Sequence, residues 1–353
     1  MNLNTRNNFF NSKWWQNATV KNIVAEVNAG ADINAHDEAG VTPLMFAVLN
    51  NKSPNIIAKL VELGAKIDAR DSEGWTPLMY AVLNKENPKI VKTLTTLGAN
   101  INAENDDAQT PLMFASRYRD NPRVIQMLAE RGADVNAEDK YGLTPLMFAA
   151  YFNDDPTVIQ TLVKLGADIH AKTDKDMTSF LFAVTGNKNP EIIHAFVTAG
   201  INVDTKINDD ATPAMLAAKY NANSSMLRKL AELGADIAAK DKYGWTLLMY
   251  AAWSNTNPQV ITMLAGLGAD VNAVDGYGCT ALMYSAWQNQ NPAVTKALLE
   301  AGASLQTCDN EGRTVFDYAL ARGNPEILEL LRQKNLHNQH QMSNLKANNT
   351  GRK

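Results

Sequence analysis

Cysteine is almost absent from the 353 residues, which contain only Cys279 and Cys308. Two cysteines cannot build a disulfide framework, and this favours a reducing compartment. Long apolar runs are missing too: no stretch approaches the roughly eighteen apolar residues of a membrane-spanning helix. The N-terminal segment has no apolar core of the kind found in secretory signals. We therefore expect a cytoplasmic protein with no membrane contact; delivery into a host cell by a non-Sec route stays open.

Neither sign of charge dominates the chain, since 33 Lys and Arg stand against 37 Asp and Glu, giving a net charge of −4. This balance offers no basic surface for nucleic acid. The sequence also lacks the HExxH, CxxC, GxxxxGK and GxSxG motifs, which serve zinc, redox, phosphate and nucleophile chemistry. We therefore predict no enzyme, no metal site, no cofactor and no nucleic-acid partner.

What the sequence has is repetition. A threonine recurs every 34 residues, nine times, from Thr42 to Thr314. Thr42 and Pro43 are typical of the N-cap and first position of a helix, and Pro54 opens a second helix that Gly64 ends. The turn-rich segment between that glycine and the next threonine is called the finger below. Two short helices and a finger cannot bury their apolar faces alone, whereas stacked copies can.

The patterns G-x-T-P-L-x-x-A and G-A-D-x-N-A-x-D resemble the ankyrin repeat, nearly letter for letter in GADVNAEDKYGLTPLMFAA at 132–150. Tetratricopeptide repeats share the 34-residue period, but their Trp, Leu-Gly and Tyr pattern is missing. The resemblance implies an all-α solenoid with β-hairpin-like fingers, built from nine ankyrin repeats and a degenerate N-terminal capping repeat. It also implies a curved stack whose concave face consists of fingers and first helices.

The domain boundaries follow from this period. Residues 1–41 are predicted to form the degenerate N-terminal capping repeat and first finger, and 42–313 eight 34-residue repeats. Residues 314–334 form a C-terminal capping repeat. The polar segment 335–353 has no apolar periodicity, and we expect it to be disordered.

Two features depart from the family pattern. Each repeat except the last carries one extra residue between its helices, where N-x-N-P often replaces the family's Gly-His. Methionine also replaces the family's histidine, giving TPLM for TPLH, which looks more like bacterial or viral arrays. That histidine usually bonds to neighbouring loops, so we expect thioether packing to substitute. A stripe of core methionines explains the spacing better than copper ligands, which would have to converge on one ion.

Aromatic residues collect at finger tips and at the ends of first helices, positions that a stack does not need. Because Trp, Tyr and Arg dominate protein interfaces, we predict that the concave face binds a protein. The predicted residues form a central group and a C-terminal group, with Trp75 apart: Arg117, Tyr118, Tyr141, Tyr151 and Phe152; then Tyr220, Tyr243, Trp245, Trp253, Tyr277 and Trp287. On this hypothesis the rings are dispensable for folding. The alternative is that they pack between adjacent fingers and stiffen the stack.

The sequence thus favours a monomeric, non-catalytic scaffold that binds a protein partner. Two alternatives stay open: an inhibitor or secreted effector that blocks its target by occupying it, and an aromatic cage that reads a methylated or quaternary ammonium ligand. The repeats at 171–224 match the pattern least, since Asp176 and Asp210 replace the finger glycine. We predict that this stretch bends or loosens the array and separates two binding surfaces.

Overall fold

The computed structural model of the chain describes residues 8–51, 53–84, 88–118 and 122–350. Its regular structure is helical, with 3₁₀ turns at Asn8–Phe10 and Asn208–Asp210. The α-helices are α1 Ser12–Asn17, α2 Val20–Asn28, α3 Pro43–Asn50, α4 Pro54–Glu62, α5 Pro77–Leu83, α6 Pro88–Thr96, α7 Pro111–Arg117, α8 Pro122–Glu130, α9 Pro145–Phe152, α10 Pro156–Lys164, α11 Ser179–Gly186, α12 Glu191–Thr198, α13 Pro213–Tyr220, α14 Ser224–Glu232, α15 Leu247–Ser254, α16 Pro258–Gly266, α17 Ala281–Gln288, α18 Pro292–Glu300, α19 Val315–Arg322 and α20 Pro325–Thr350. None of these helices is long and apolar enough, over the described residues, to cross a membrane.

The predicted all-α solenoid is confirmed, and its fingers are tight turns rather than paired strands. Over the described ranges there is no β-strand, and only isolated bridges join Lys172 to Thr178 and Val274 to Thr280. In a representative finger, Asp71 N donates to Trp75 O over 3.1 Å, and Gly74 N donates to Asp71 O over 3.1 Å. Neighbouring fingers are joined at their tips, where Asp106 N donates to Glu73 O over 3.1 Å.

At the start of a first helix, the recurring threonine and methionine cap the helix together. Thr42 Oγ1 accepts a hydrogen bond from Met45 N over 3.4 Å, while Met45 Sδ accepts one from Thr42 N over 3.4 Å. The thioether therefore occupies the place of the Glu or Gln in an ordinary capping box. The same Thr N–H to Met Sδ bond recurs at five later threonines: Thr76, Thr110, Thr212, Thr246 and Thr280. These methionines are buried, so each one both packs and accepts a hydrogen bond.

The chain divides into two compact units, Met1–Phe182 and Ala183–Lys353, with the division inside α11. In the first unit α3, α5, α7 and α9 pack in succession, as do α4, α6, α8 and α10. In the second unit α13, α15, α17 and α19 form one row, and the even-numbered helices α12 to α20 form the other. Helices of eight or nine residues are too short to be stable alone. The contacts between successive helices therefore hold each unit together.

The division lies within the repeats at 171–224, the stretch that the sequence analysis singles out. Asp176 and Asp210 occupy the finger position with φ of 56° and 61°, in the left-handed region where most other fingers have glycine. Ala108 has the same conformation, with φ of 57°. A side chain in this conformation is disfavoured, although less so for aspartate than for alanine. That this stretch loosens the array stays a prediction.

The extra residue of the 34-residue repeat belongs to a row of asparagines that cross from one repeat to the previous one. Asn255 Nδ2 donates to Ala218 O over 2.8 Å and to Asn221 O over 3.0 Å. Its Oδ1 accepts from Asn257 N over 2.9 Å, so the buried amide is satisfied at both ends. Equivalent bonds to the preceding repeat are made by four other asparagines: Asn51, Asn153, Asn221 and Asn289.

The second asparagine of N-x-N-P has a related role. Asn257 Nδ2 donates to Ala222 O of the preceding repeat over 2.6 Å, and its Oδ1 accepts from Gln259 N over 3.0 Å at the start of α16. One side chain therefore both caps a second helix and ties its loop to the neighbouring loop. Asn223 and Asn291 repeat this arrangement.

Aromatic side chains fill the N-terminal end of the first unit. Trp15 and Phe9 are fully buried, with ring centroids 5.7 Å apart, and Trp15 Nε1 donates to Phe9 O over 2.7 Å. Helices α1 and α2 pack on α3 and α4, so this segment covers the end of the stack as a capping repeat would.

The last helix differs from what the sequence predicts, because α20 continues to Thr350 through the segment expected to be disordered. Every side chain from Leu336 to Gln341 is exposed, so this part of α20 makes no core contact. Bonds within the helix remain, such as Gln333 Nε2 to Glu329 Oε1 over 3.0 Å. The missing apolar periodicity indicates the lack of a packing partner, and disorder of residues 335–353 stays a prediction. Residues 351–353 lie outside the described part.

We predict that Asn255→Ala lowers the free energy of unfolding by about 2 kcal/mol, because two buried carbonyls lose their donor. Thermal denaturation followed by circular dichroism would measure the loss. Asn50→Ala is the matched control: the Asn50 amide donates to Phe46 O within its own helix. That change should cost about 0.5 kcal/mol or less. Equal losses in the two variants would contradict a special role for the inter-repeat amides.

Candidate protein-binding face

The twelve residues predicted to bind a partner fall into two groups in the structure. Eight are exposed: Arg117, Tyr141, Tyr151, Phe152, Tyr220, Tyr243, Tyr277 and Trp287. The other four are half-buried: Trp75, Tyr118, Trp245 and Trp253. The first group can meet another molecule directly, whereas the second group has contacts within the stack.

Trp75 and Trp245 occupy the same position in their fingers and make the same kind of contact. The Trp75 ring lies 5.6 Å from Tyr80 of its own repeat and 4.3 Å from Phe114 of the next. Trp245 lies 5.4 Å from Tyr250 and 4.3 Å from Tyr284. Each tryptophan therefore joins its finger to the first helix of the following repeat. The alternative in which rings stiffen the stack describes these two residues.

A buried tyrosine–aspartate pair fixes several fingers on their first helices. Asp241 Oδ1 accepts from Tyr243 N and Trp245 N, each over 2.8 Å, while Asp241 Oδ2 accepts from Tyr250 Oη over 2.8 Å. The same pair joins Tyr80 to Asp71, Tyr284 to Asp275 and Tyr318 to Asp309. This bond was not predicted from the sequence. The signal was present as an Asp nine residues before each tyrosine.

In the last finger, the pKa values of Asp309 and Tyr318 are shifted far from their usual ranges. Burial alone would raise the pKa of Asp309, but hydrogen bonds from Tyr318 Oη, Arg313 Nε and two backbone N–H groups outweigh it and hold that pKa well below its usual range. Burial, and then the bond to Asp309, raises the pKa of Tyr318. Asp309 is therefore a buried carboxylate, and Tyr318 stays protonated as its donor.

In the first unit the structure brings together part of the predicted central group. The Arg117 guanidinium lies 4.2 Å from the centroid of the Phe152 ring, and Tyr151 lies edge-on to Phe152 at 4.8 Å. Tyr141 stands on a finger, where Lys140 Nζ lies 5.1 Å from its ring centroid. Cation–π contacts of this kind hold exposed rings in place.

In the second unit the tryptophans form a continuous row. Trp253 lies 5.5 Å from Trp245 and 5.6 Å from Trp287, whose ring is 5.8 Å from Tyr318. Beside this row is a cavity of about 310 Å³, called the aromatic cavity below, which four of the predicted residues line: Trp245, Trp253, Tyr277 and Trp287. The sequence analysis did not select Asp309, Arg313 or Tyr318, which also line it.

Tyr220 and Tyr243 do not take part in the lining of the aromatic cavity as described. Each is exposed and lies under its own lysine, with Lys219 Nζ and Lys242 Nζ both 4.9 Å from the respective ring centroid. A larger hollow of about 440 Å³ lies between α14 and α16, where Ser224, Arg228 and Thr262 form its wall. No aromatic ring lines it among the described residues, so it offers less for specific recognition.

The described residues that line the aromatic cavity include one thiol, that of Cys279. The Cys279 thiol is buried beside Tyr318 Oη at 3.2 Å, and burial raises its pKa, which disfavours the nucleophilic thiolate. Within the described ranges no group of three or more His, Cys, Asp or Glu side chains could hold a metal ion. The groups available to bind a ligand at the aromatic cavity are ring faces, a few cations and two carboxylates.

Comparison with known proteins gives one clear match. A family model described as "Ankyrin repeats (3 copies)" matches residues 15–105, 85–173, 180–275 and 254–342. These matches span most of the chain and include both compact units. No curated protein matches the sequence.

We predict that Trp245→Ala lowers the free energy of unfolding by about 3 kcal/mol, because it removes a ring packed against two repeats. Tyr243→Ala, two residues away, should change it by about 0.5 kcal/mol or less, since the Tyr243 ring is exposed. Chemical denaturation followed by circular dichroism would compare the two variants. Equal stabilities would mean that Trp245 does not join the repeats.

We also predict that Asp309→Asn flattens the acid end of the stability profile. The pKa of Asp309 is depressed in the folded state, so its contribution is present above its unfolded pKa near 3.9 and is lost as the pH falls below that value. The wild-type melting temperature should therefore fall more steeply than that of Asp309→Asn between about pH 5 and pH 2. Parallel curves would contradict the assignment.

Proposed function

The chain belongs to the ankyrin-repeat family, and on that basis we propose that it is a non-catalytic scaffold that binds a protein partner through the exposed rings of its fingers and first helices. Ankyrin repeats are in general protein–protein interaction modules. The observation that supports this face is the exposure of seven large aromatic side chains at finger tips and first-helix ends: Tyr141, Tyr151, Phe152, Tyr220, Tyr243, Tyr277 and Trp287.

Exposed rings of this kind do not help folding, which supports a role in recognition. A ring left in water forgoes most of its burial energy, and contiguous exposed apolar surface is typical of binding sites. Tyrosine and tryptophan also lose little rotamer freedom on binding, so they give large contact area at small entropic cost.

The rings are also held in place before any partner arrives. Lys140, Lys219 and Lys242 lie over Tyr141, Tyr220 and Tyr243. Lys140 and Lys242 form ion pairs with Asp107 and Asp209 on the preceding fingers. Exposed ion pairs contribute little stability by themselves. Here they limit the orientations of the rings, and preorganisation of this kind reduces the entropic cost of binding.

We propose that the partner is a protein and that the chain binds it as a monomer. The net charge of −4 over the whole chain supports this over a nucleic acid, which would need a basic surface. Exposed rings with lysines and aspartates beside them, as at Tyr141 and Tyr243, resemble the composition of an ordinary protein interface.

The test is the combined variant Tyr220→Ala, Tyr243→Ala and Tyr277→Ala. We predict that it keeps the wild-type melting temperature and loses more than tenfold in affinity for the partner. Partners would be identified by co-purification from the producing cells with quantitative mass spectrometry, and the affinity then measured by calorimetry with the purified partner.

The matched control replaces three exposed leucines away from these rings: Leu97→Ala, Leu267→Ala and Leu336→Ala. The control should recover the same partners as the wild type. Recovery of those partners by the tyrosine variant at wild-type affinity would mean that this face does not bind them.

A further inference from the structure

Three fingers carry an exposed tyrosine, and two of them provide a cation for it. Residues 139–142 and 241–244 both read DKYG. In each, the lysine ammonium lies over the adjacent ring, at 5.1 Å for Tyr141 and 4.9 Å for Tyr243. Each ammonium also forms an ion pair with the carboxylate of the preceding finger, Asp107 or Asp209. The ring, the ammonium and a carboxylate therefore form one small unit.

The third finger has the same backbone without the cation. Residues 275–278 read DGYG, and Gly276 stands where the others have lysine. Gly276 N donates to Tyr243 O over 2.9 Å, matching the bond from Lys242 N to Asp209 O over 2.9 Å. Tyr277 is 63% exposed, compared with 60% for Tyr141 and 46% for Tyr243. Among the described residues, no cation lies over the Tyr277 ring.

The aromatic cavity opens beside this ring. Trp253 and Trp287 meet edge to face at 89° and line it together with Tyr277. The cavity wall also carries the carboxylates of Asp309 and Glu311 against the single cation Arg313, a net charge of −1 from two negative groups and one positive group. Electron-rich ring faces with surplus negative charge favour a cationic ligand.

Arg313, the one cation in the cavity wall, is not placed to bind an anionic ligand. Arg313 Nε donates to Asp309 Oδ2 over 2.8 Å, Arg313 Nη1 lies 2.9 Å from Glu311 Oε2, and Arg313 Nη2 donates to Tyr318 Oη over 3.2 Å. Its guanidinium lies 5.2 Å from the Tyr318 ring centroid, on the Tyr318 side of the cavity. The donors of Arg313 are thus engaged within the finger, which argues against a carboxylate or phosphate ligand.

We propose that the aromatic cavity binds a lysine side chain of the protein partner, methylated or not. The ammonium lies over Tyr277 near Glu311, and the butyl chain packs against Trp253 and Trp287. In the other two fingers that carry an exposed tyrosine, the chain places a lysine ammonium over the ring. A lysine ammonium is therefore the group that we expect the Tyr277 ring to bind. This inference rests on the proposed function, because it assigns one residue of the partner.

The experiment uses the full-length protein and small probes. Binding of Nα-acetyl-lysine amide, its Nε-trimethyl form and the neutral Nα-acetyl-norleucine amide would be followed by tryptophan fluorescence and saturation-transfer NMR. We expect both cationic probes to bind roughly tenfold more tightly than norleucine, which keeps the butyl chain and lacks the ammonium. Equal binding of norleucine would overturn the proposal, because the cavity would then be only apolar. Binding of choline without binding of the lysine probe would also overturn it.

The decisive variant is Gly276→Lys, which restores the DKYG sequence and supplies an internal ammonium for Tyr277. It should lower lysine-probe affinity at least tenfold. A Cβ at position 276 would lie 3.2 Å from Tyr243 O, so the adjoining finger must shift by a few tenths of an ångström, and we expect only a slight fall in the melting temperature. Tyr277→Ala should cause a similar loss of affinity. Ser72→Lys is the matched control: it adds a lysine at the equivalent position of a finger that has no tyrosine, outside the cavity lining, and should leave probe binding unchanged. Wild-type probe affinity in Gly276→Lys would overturn the proposal.

These measurements do not depend on the identity of the partner. If the lysine probes bind as expected and the tyrosine variant still retains the partner, the proposed function fails and the cavity assignment stands. If the probes fail to bind and partner capture still depends on the tyrosines, this inference fails alone.

Discussion

A repeat of two helices with seven to nine residues each has no core of its own, so it folds only if contacts fix it against its neighbour. Apolar packing between successive helices supplies most of the energy but little register, since similar side chains recur in every repeat. The asparagine amides supply the register. Each one fits two carbonyls of the preceding repeat, and a shifted repeat would leave those buried carbonyls unpaired. Where a repeat carries this asparagine, the contact accounts for the extra residue; the repeats that begin at Thr76 and Thr110 have Lys85 and Arg119 at the same position.

The same constraint decides which positions can serve recognition. Asparagines, threonine caps and methionine sulfurs hold the loops and helix starts, and the Tyr–Asp pairs hold the fingers on the helices. The finger tip and the last turn of the first helix are then free to vary. The rings at those positions fall into two groups, according to whether they contact the next repeat. Trp75 and Trp245 contact an aromatic residue of the next repeat, whereas Tyr141, Tyr243 and Tyr277 are exposed.

Much of the fold was predictable from the sequence, because it depends on local rules repeated at a fixed period. Thr-Pro pairs mark where α3, α5, α7 and α9 begin, and glycines such as Gly64 mark where second helices end. The role of the asparagines was not predictable in this way. N-x-N-P is visible in the sequence, but the carbonyls that Asn255 meets lie 34 and 37 residues earlier and come close only after stacking.

The site was predicted less completely, for a related reason. Sequence comparison among repeats shows which positions vary, and this located the residues around the aromatic cavity. It does not show which variable rings also contact the next repeat, as Trp75 and Trp245 do, and the part these two residues play in binding stays a prediction. Comparison among repeats also did not identify Arg313, Asp309 and Tyr318. Their hydrogen bonds link a finger to a helix rather than residues one 34-residue period apart.

The asparagine row also bears on how the array can change in length. Donor and acceptors lie about one period apart, so duplication of a 34-residue segment that carries such an asparagine would bring the donor along and give it equivalent carbonyls in the preceding copy. The last repeat is different: Gly323, with φ of 71°, occupies the position of the amide and turns the chain directly into α20. A copy of the last repeat would have no asparagine side chain to donate to the repeat before it. An increase in the number of repeats is therefore favoured by duplication of internal segments that carry the asparagine, rather than of the last repeat.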